Sequence, residues 1–356
     1  MIDNDQRVVI IGGGIAGLSS AWFLLKEGFS RVTLIERDVN TSMEASGLNS
    51  GLVRHYHPDQ EVRSDLARSV ELLLAYQNIT GGSFFEQSPS IWRFHSGKYQ
   101  ELSSNKQNLL NMDTIEPDEV PPDLQPEDAF GDAWVTFHND GLLDAFRFGD
   151  QLREDAETSG VHMRTSSMVE SGEKQGDSWI LTLDGGEHIS ADQVINAAGV
   201  WANDVGQRLG LEPRTYTPVR RHLFYTTEQL LPGRYSYFMD TKQRFFFRRT
   251  EEGTLISYCD EQPVEPDESP DVEFPEDHLE QVIGEQYPEL DLGHIDQYWS
   301  GKYAMTPDRK PIIDTDPGDA SVVWATGLND FGMSYGLRTG ERVMNQLHSE
   351  EYRYTI

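Results

Sequence analysis

The stretch VVIIGGGIAGLSSAWFLL, residues 8–25, constrains this chain more than any other. Four β-branched residues run directly into three glycines, and an apolar, helix-compatible segment follows. Arg7–Ile11 reads as a buried parallel strand and Ile15–Glu27 as a helix stopped by Gly28. A second strand, Arg31–Glu36, completes a βαβ unit. Within the turn, Gly12 permits a tight bend, Gly14 lets a pyrophosphate approach the backbone, and Gly17 lets the helix pack on the strand. Phosphates would meet the N–H groups and the positive dipole end near Ile15 and Ala16. Glu36, closing the second strand, suits ribose hydroxyls and disfavours the 2′-phosphate of NADP. Strand, helix and acid together point to a dinucleotide site; the blander alternative is a glycine-rich contact with no ligand. The pattern itself does not choose between FAD and NAD.

The same stretch carries no charge and is nearly long enough to cross a bilayer. Its four glycines and two serines, and the acidic rather than basic residues 1–6 before it, favour the strand–turn–helix reading. The 356 residues suffice for two domains, and 37% hydrophobic content suits a globular protein. A single cysteine, Cys259, allows no internal disulfide and fits a reducing cytoplasm. The net charge is −31, with 22 arginines and 7 lysines. That acidity opposes binding to nucleic acid or anionic lipid. It also fits a halophilic protein, since concentrated salt screens self-repulsion; an acidic protein of ordinary surroundings is the alternative.

Further along, residues 42–59 read as a Ser-, Gly- and His-rich loop and 60–78 as a helix. Residues 84–94 look strand-like, and 103–128 form an acidic, Pro-rich surface excursion. A helix is expected over 142–158. Strands are expected over 161–169, 179–183, 187–189 and 194–196. Alternation predicts antiparallel strands over 217–226, 235–239, 244–249 and 254–258. An acidic, Pro-rich loop over 262–275 precedes a helix over 276–287. A strand over 321–325, a glycine-containing loop over 326–334 and a helix over 335–348 close the chain. Parallel signals at both ends with antiparallel ones between suggest a discontinuous dinucleotide domain carrying an inserted sheet domain.

Several segments, in order, resemble the D-amino-acid oxidase superfamily, particularly its branch of sarcosine oxidase, glycine oxidase and D-arginine dehydrogenase. They are VVIIGGGIAGLSSAWFLLKEG with IER, SGLNSGLVR from Ser46, and VINAAGVWANDVGQRLGL from Val194. PVRRHLFYT from Pro218, FFFRRTEEGTLISY from Phe245, GKYAMTPDRKPIID from Gly301 and WATGLNDFGMSYGLRTGE from Trp324 follow. The resemblance implies an α/β fold: a discontinuous, glutathione-reductase-like Rossmann FAD domain (1–82, 135–215 and 300–356). A mainly antiparallel substrate domain (83–134 and 216–299) would be inserted in it. It implies FAD as cofactor and hydride transfer from the carbon of a small amine or amino acid to flavin N5. An electron acceptor, which the residues leave open, would complete the reaction. Carried over by position, Ser46, Asn49, Ser50, Gly51 and Leu52 run from pyrophosphate to flavin. Glu36, Arg37 and Val169 lie at the adenosine end, and Ala198, Gly199, Trp201 and Gly301 near the cofactor. Gly327, Asp330, Phe331, Gly332, Met333 and Ser334 face the flavin pyrimidine. Gly51 and Gly199 are also open to a purely structural reading as turn residues.

Three departures shape the expected chemistry. The cysteine that tethers flavin in sarcosine-oxidase-like members is Gly301 here, which implies non-covalent FAD. The substrate-binding cations of relatives fall at Tyr303 and Ser334, neither of them cationic. The oxygen-activating lysine falls near Leu255, which favours a dehydrogenase over an oxidase. A substrate carboxylate still needs a cation. Arg54 is the first candidate and Arg221 the second, with Arg248 and Arg244 weaker because strand arginines in so acidic a protein tend to pair with surface carboxylates. Tyr303 could close the pocket or bind substrate. His55 and His57 lack a third ligand, so no metal site is expected. Oxidation of a 2-hydroxy acid or polyol, a non-catalytic FAD-binding assembly factor, and an NAD-binding module stand as rival readings.

Overall fold

The computed structural model describes residues 4–95, 97, 99, 110–126, 129, 131–269, 276–348 and 353–355. Residues 103–109 and 127–128 of the expected acidic excursion, and 270–275 of the second acidic loop, lie outside them.

The N-terminal βαβ unit forms as its sequence dictates: β1 is Val8–Ile11, α1 is Ile15–Lys26 and β2 is Val32–Ile35. These strands belong to a six-stranded sheet. Its order across the sheet is Ile312–Thr315, Val322–Thr326, Gln193–Asn196, β1, β2 and His162–Arg164. All neighbours are parallel except the edge strand Ile312–Thr315, which runs antiparallel to Val322–Thr326. β1 is buried throughout because both faces are covered. Val8, Ile10 and Leu34 pack on the helix side, with α1, α2 (Gln60–Thr80), Ala145–Thr158 and Gly332–Leu347. Val9, Ile11 and Ile35 pack against a three-stranded antiparallel sheet, Val169–Gln175, Ser178–Leu183 and His188–Ala191. The chain thus has an α/β fold with a Rossmann-like parallel sheet.

A second, nine-stranded sheet is antiparallel except where Tyr237–Asp240 runs parallel to Ser90–Phe94. Its two faces alternate residue by residue: Phe224 and Ile256 pack into one core, Leu223 and Leu255 into the other. A small sheet, Leu52–Val53, Gly141–Leu143 and Phe85–Gln87, sits at the junction. No helix of the described residues is long and apolar enough to cross a membrane.

Several expectations need correction. Gln297–Met305, to which the sequence reading assigned no element, is a strand paired with Thr217–Tyr225 over nine residues. Leu142 and Leu143 belong to a strand, and the helix starts at Ala145, capped by the Asp144 carboxylate accepting from Arg147 N. The expected strand 161–169 is two strands in different sheets. The last helix begins at Gly332, with a kink at Gly336. Boundaries drawn at 135 and 300 fall inside Ala133–Phe137 and Gln297–Met305, both strands of the large sheet.

Candidate functional site

A cleft runs from the glycine turn, along residues 42–52, to the face of the large sheet. At its start the turn is backbone against backbone. A β-carbon on Gly12, whose φ is +109°, would stand 2.4 Å from the Ala197 carbonyl oxygen; one on Gly17 would stand 1.9 Å from that of Gly12. No side chain larger than hydrogen fits either place. Gly14 caps α1 without a side chain, and a β-carbon there would stand 3.1 Å from Ser46 Oγ. Ser46 Oγ in turn accepts from Ile15 N at 2.9 Å. The Glu36 carboxylate accepts from Gly13 N at 2.7 Å and Asp38 N at 2.9 Å, and burial raises its pKa. With Gly13 N and Ile15 N engaged by Glu36 and Ser46, the helix start opens on the cleft at Gly14 and Ala16 and fits a phosphate there.

Most expected cofactor residues line this one cleft: Gly12, Gly14, Ile15, Ala16, Glu36, Arg37, Ser46, Asn49, Ser50 and Leu52 from the first part of the chain. Val169, Ala198, Gly199, Trp201, Gly301, Gly327, Asp330, Gly332 and Met333 line it from the rest. Gly17, Gly51, Phe331 and Ser334 stand behind the wall. Gly51 makes a turn (φ +67°) against Leu143, and Ser334 Oγ links Arg54 N to the Leu52 carbonyl, each at 3.1 Å. Trp201 closes one edge: Arg37 stacks on its ring at 3.6 Å and its Nε1 donates to Asp267 at 2.7 Å.

The sheet end is built by Gln297–Met305. Gly301 lies opposite Arg221, and Tyr303 opposite Val219. Asn329, in the left-handed region at φ +54°, accepts from Thr306 N at 2.9 Å and donates to the Gly327 carbonyl at 2.8 Å. That clasp fixes the loop carrying Asp330. The carboxylate of Asp330 pairs with Arg54 at 2.7 Å and more loosely with Arg221 at 3.4 Å. Burial opposes its ionisation, but the two guanidiniums outweigh burial and hold it well below the usual carboxylate range. Glu261 gathers Arg309 at 2.8 Å, Arg244 at 2.6 Å and Arg221 at 3.6 Å.

The four candidate arginines therefore differ. Arg54 is consumed by Asp330, and Arg244 is half-exposed and paired with Glu261. Arg221 lines the cleft with its Nε buried and unpartnered. The hydroxyl of Tyr303, whose ring lies 5.2 Å from that guanidinium, is likewise buried without a partner. Arg248 forms no ion pair or hydrogen bond among the described residues. His57 is buried against Phe331, and burial, then Arg54, lowers its pKa to about 4. His55 is buried beside Asp140. Among the described residues no cluster of three or more His, Cys, Asp or Glu could hold a metal. Sequence reading missed Glu261, Thr306, Asn329 and Asp267; an asparagine inside a glycine-rich loop was the one available signal.

Residues 7–346 match the family described as DAO, FAD dependent oxidoreductase. The chain belongs to this FAD-dependent oxidoreductase family. Mouse (Mus musculus) mitochondrial dimethylglycine dehydrogenase is 26% identical over 91% of the chain, which spans only 40% of that longer protein. Glycine oxidase of Bacillus subtilis (strain 168) is 22% identical, covering 98% of the chain and 94% of the relative. L-proline dehydrogenase from P. horikoshii shares the fold with a TM-score of 0.84, at 22% identity over 97% of this chain and 93% of that one. Membership in the DAO family agrees with the resemblance read from the segments.

Proposed function

We propose that this flavoenzyme oxidises the C–N bond of a small amino acid or amine, and does so as a dehydrogenase rather than an oxidase. The observation that carries the amino-acid reading is the pair of unsatisfied buried donors, Arg221 Nε and the Tyr303 hydroxyl, on adjoining parts of the cleft wall. Buried polar groups without partners are costly, and a substrate carboxylate would satisfy both at once. Burial raises the pKa of Tyr303, so its phenol stays protonated and donates. Dimethylglycine dehydrogenase, glycine oxidase and L-proline dehydrogenase, among the proteins this chain is similar to, are named for carboxylate-bearing amines.

FAD, when bound, supplies the two-electron acceptor at N5. The chain's own residues would do the rest. Gly12, Gly14, Ile15 and Ala16 hold the pyrophosphate, with Glu36, Arg37 and Val169 at the adenosine. Ser46 to Leu52 guide the cofactor toward the sheet. The helix start at Gly332 and Met333 opens on the cleft, where its N–H groups favour negative charge. Tyr303 and Leu223, which line the sheet end of the cleft, would exclude water there. Gly301 offers no sulfur, and the lone Cys259 is buried off the cleft wall, which supports non-covalent FAD. The acidity supports a cytoplasm rich in salt as the working environment.

Anaerobic mixing with panels of amino acids, amines and 2-hydroxy acids tests the reading. Amino acids should bleach the flavin. Bleaching by hydroxy acids alone would move the reaction to a C–O bond. Bleaching by dithionite but by no substrate would favour a non-catalytic FAD-binding protein.

A further inference from the structure

Arg248 lies on the strand Phe245–Arg249, opposite Tyr237 on one neighbour and Leu255 on the other. Cross-strand partners share a face. That face is the one bearing Leu223, which lines the cleft. One terminal nitrogen of Arg248 stands 3.3 Å from where a β-carbon on Gly51 would lie. Gly51 sits between Ser50 and Leu52, both on the cleft wall.

Among the described residues the Arg248 guanidinium has no paired carboxylate; Asp144 and Glu86 act on it only from a distance. It forms no hydrogen bond or ion pair among the described residues, and its Nε is buried and unpartnered. The carboxylates that could reach toward it are engaged elsewhere. Glu86 pairs with Arg249 at 2.7 Å, and Asp144 caps its helix and faces Arg147 at 3.2 Å. Burial lowers the Arg248 pKa to about 10, which still leaves it charged at neutral pH. A half-buried guanidinium with its Nε buried and unpartnered is costly, and an anion beside it would offset that cost.

The cleft says which end of a dinucleotide arrives there. Ser46 is tied to the start of α1 through Ile15 N, and Trp299 Nε1 of the large sheet donates to the Leu48 carbonyl at 3.1 Å. A cofactor with its phosphates at α1 and its adenosine toward Glu36 and Val169 would therefore run along this segment toward the sheet, where Arg248 stands behind the wall at Gly51, on the sheet face that carries the cleft-lining Leu223.

Resting on the reading that FAD occupies this cleft, we infer that Arg248 is the cation that stabilises the negative charge of the reduced flavin. The balance requires such a charge. Breaking the substrate C–H bond moves two electrons and one proton onto the ring, and the nitrogen lone pair forms the iminium product. The neutral ring thereby gains one net negative charge. Arg54 and Arg221 already share Asp330, whereas Arg248 has its whole charge to offer.

The test compares the FAD-loaded protein with Arg248→Gln and Arg248→Lys. Midpoint potential is read against reference dyes, and the affinity for sulfite, which adds to flavin and makes it anionic, is read by titration. Arg248→Gln should weaken sulfite binding at least tenfold and lower the potential, a tenfold change corresponding to about 30 mV for two electrons. Arg248→Lys should retain most of both. Leu255→Glu, which sets a carboxylate across from an intact Arg248, should lower the potential in the same direction and serves if Arg248→Gln does not fold. Unchanged potential and sulfite affinity in a flavin-loaded Arg248→Gln overturn the assignment, even if carboxylate inhibitors bind more weakly. A wild-type chain that takes up no FAD overturns the underlying functional reading as well.

Discussion

Arg54 and Asp330 form a 2.7 Å ion pair inside the protein, and the same aspartate reaches Arg221 at 3.4 Å. The first arginine is neutralised by a short contact, and the second is held only loosely. Asp330 thus holds Arg54 more tightly than Arg221, which also lies 3.6 Å from Glu261.

Replacing Asp330 by Asn should destabilise the fold by about 1–3 kcal/mol, because it leaves the largely buried Arg54 guanidinium without its carboxylate. Urea unfolding at neutral pH measures this. The aspartate's folded pKa lies below its unfolded value. Its stabilisation is therefore complete above roughly pH 4 and is lost progressively as the pH falls below that. The Asn variant should lack this component of acid sensitivity.

Arg221→Gln should weaken binding of carboxylate inhibitors about 10- to 100-fold, as expected for a lost charge-assisted hydrogen bond worth ~1.5–3 kcal/mol. Tyr303→Phe should cost about tenfold, the lower end (~1.5 kcal/mol) for a hydrogen bond to a charged group. Perturbation of the flavin spectrum by inhibitor titration reads both. Equal affinities in wild type and Arg221→Gln would remove Arg221 from the substrate site.

His57 should make the fold sensitive to mild acid. Burial holds its pKa at about 4, against 6.5 unperturbed, so the unfolded chain binds the extra proton first. Stability should rise with pH across that window and level off above it. Thermal unfolding between pH 4 and 7, with His57→Phe as comparison, should show the slope reduced in the variant.

The excess of carboxylates should make stability depend on salt. The melting temperature should climb from low to molar KCl as the net charge of −31 is screened. A flat response would sink the halophilic reading.

The sequence by itself determined the nucleotide-binding half. Gly12 and Gly17 are needed because backbone atoms occupy the space a β-carbon would fill, and their strand and helix lie within a few residues of them. Gly12 is squeezed by the distant Ala197 carbonyl but is legible from the tight strand-to-helix turn it makes at φ +109°. The Gly17 contact, with the Gly12 carbonyl, is local, so spacing encodes it. The alternating strands from Thr217 to Ser257 were legible for the same reason. Gln297–Met305 was not: its glycine and polar residues are strand only because Thr217–Tyr225 offers nine partners. Only the tertiary structure decided how the arginines are used. Arg54, Arg221, Arg244 and Arg248 look alike in sequence, but Asp330 and Glu261 come from distant segments, and which guanidinium they neutralise depends on packing. The physical reason is that a guanidinium's role is set by the charge beside it, and no sequence spacing fixes that neighbour when the partners come from separate sheets and loops.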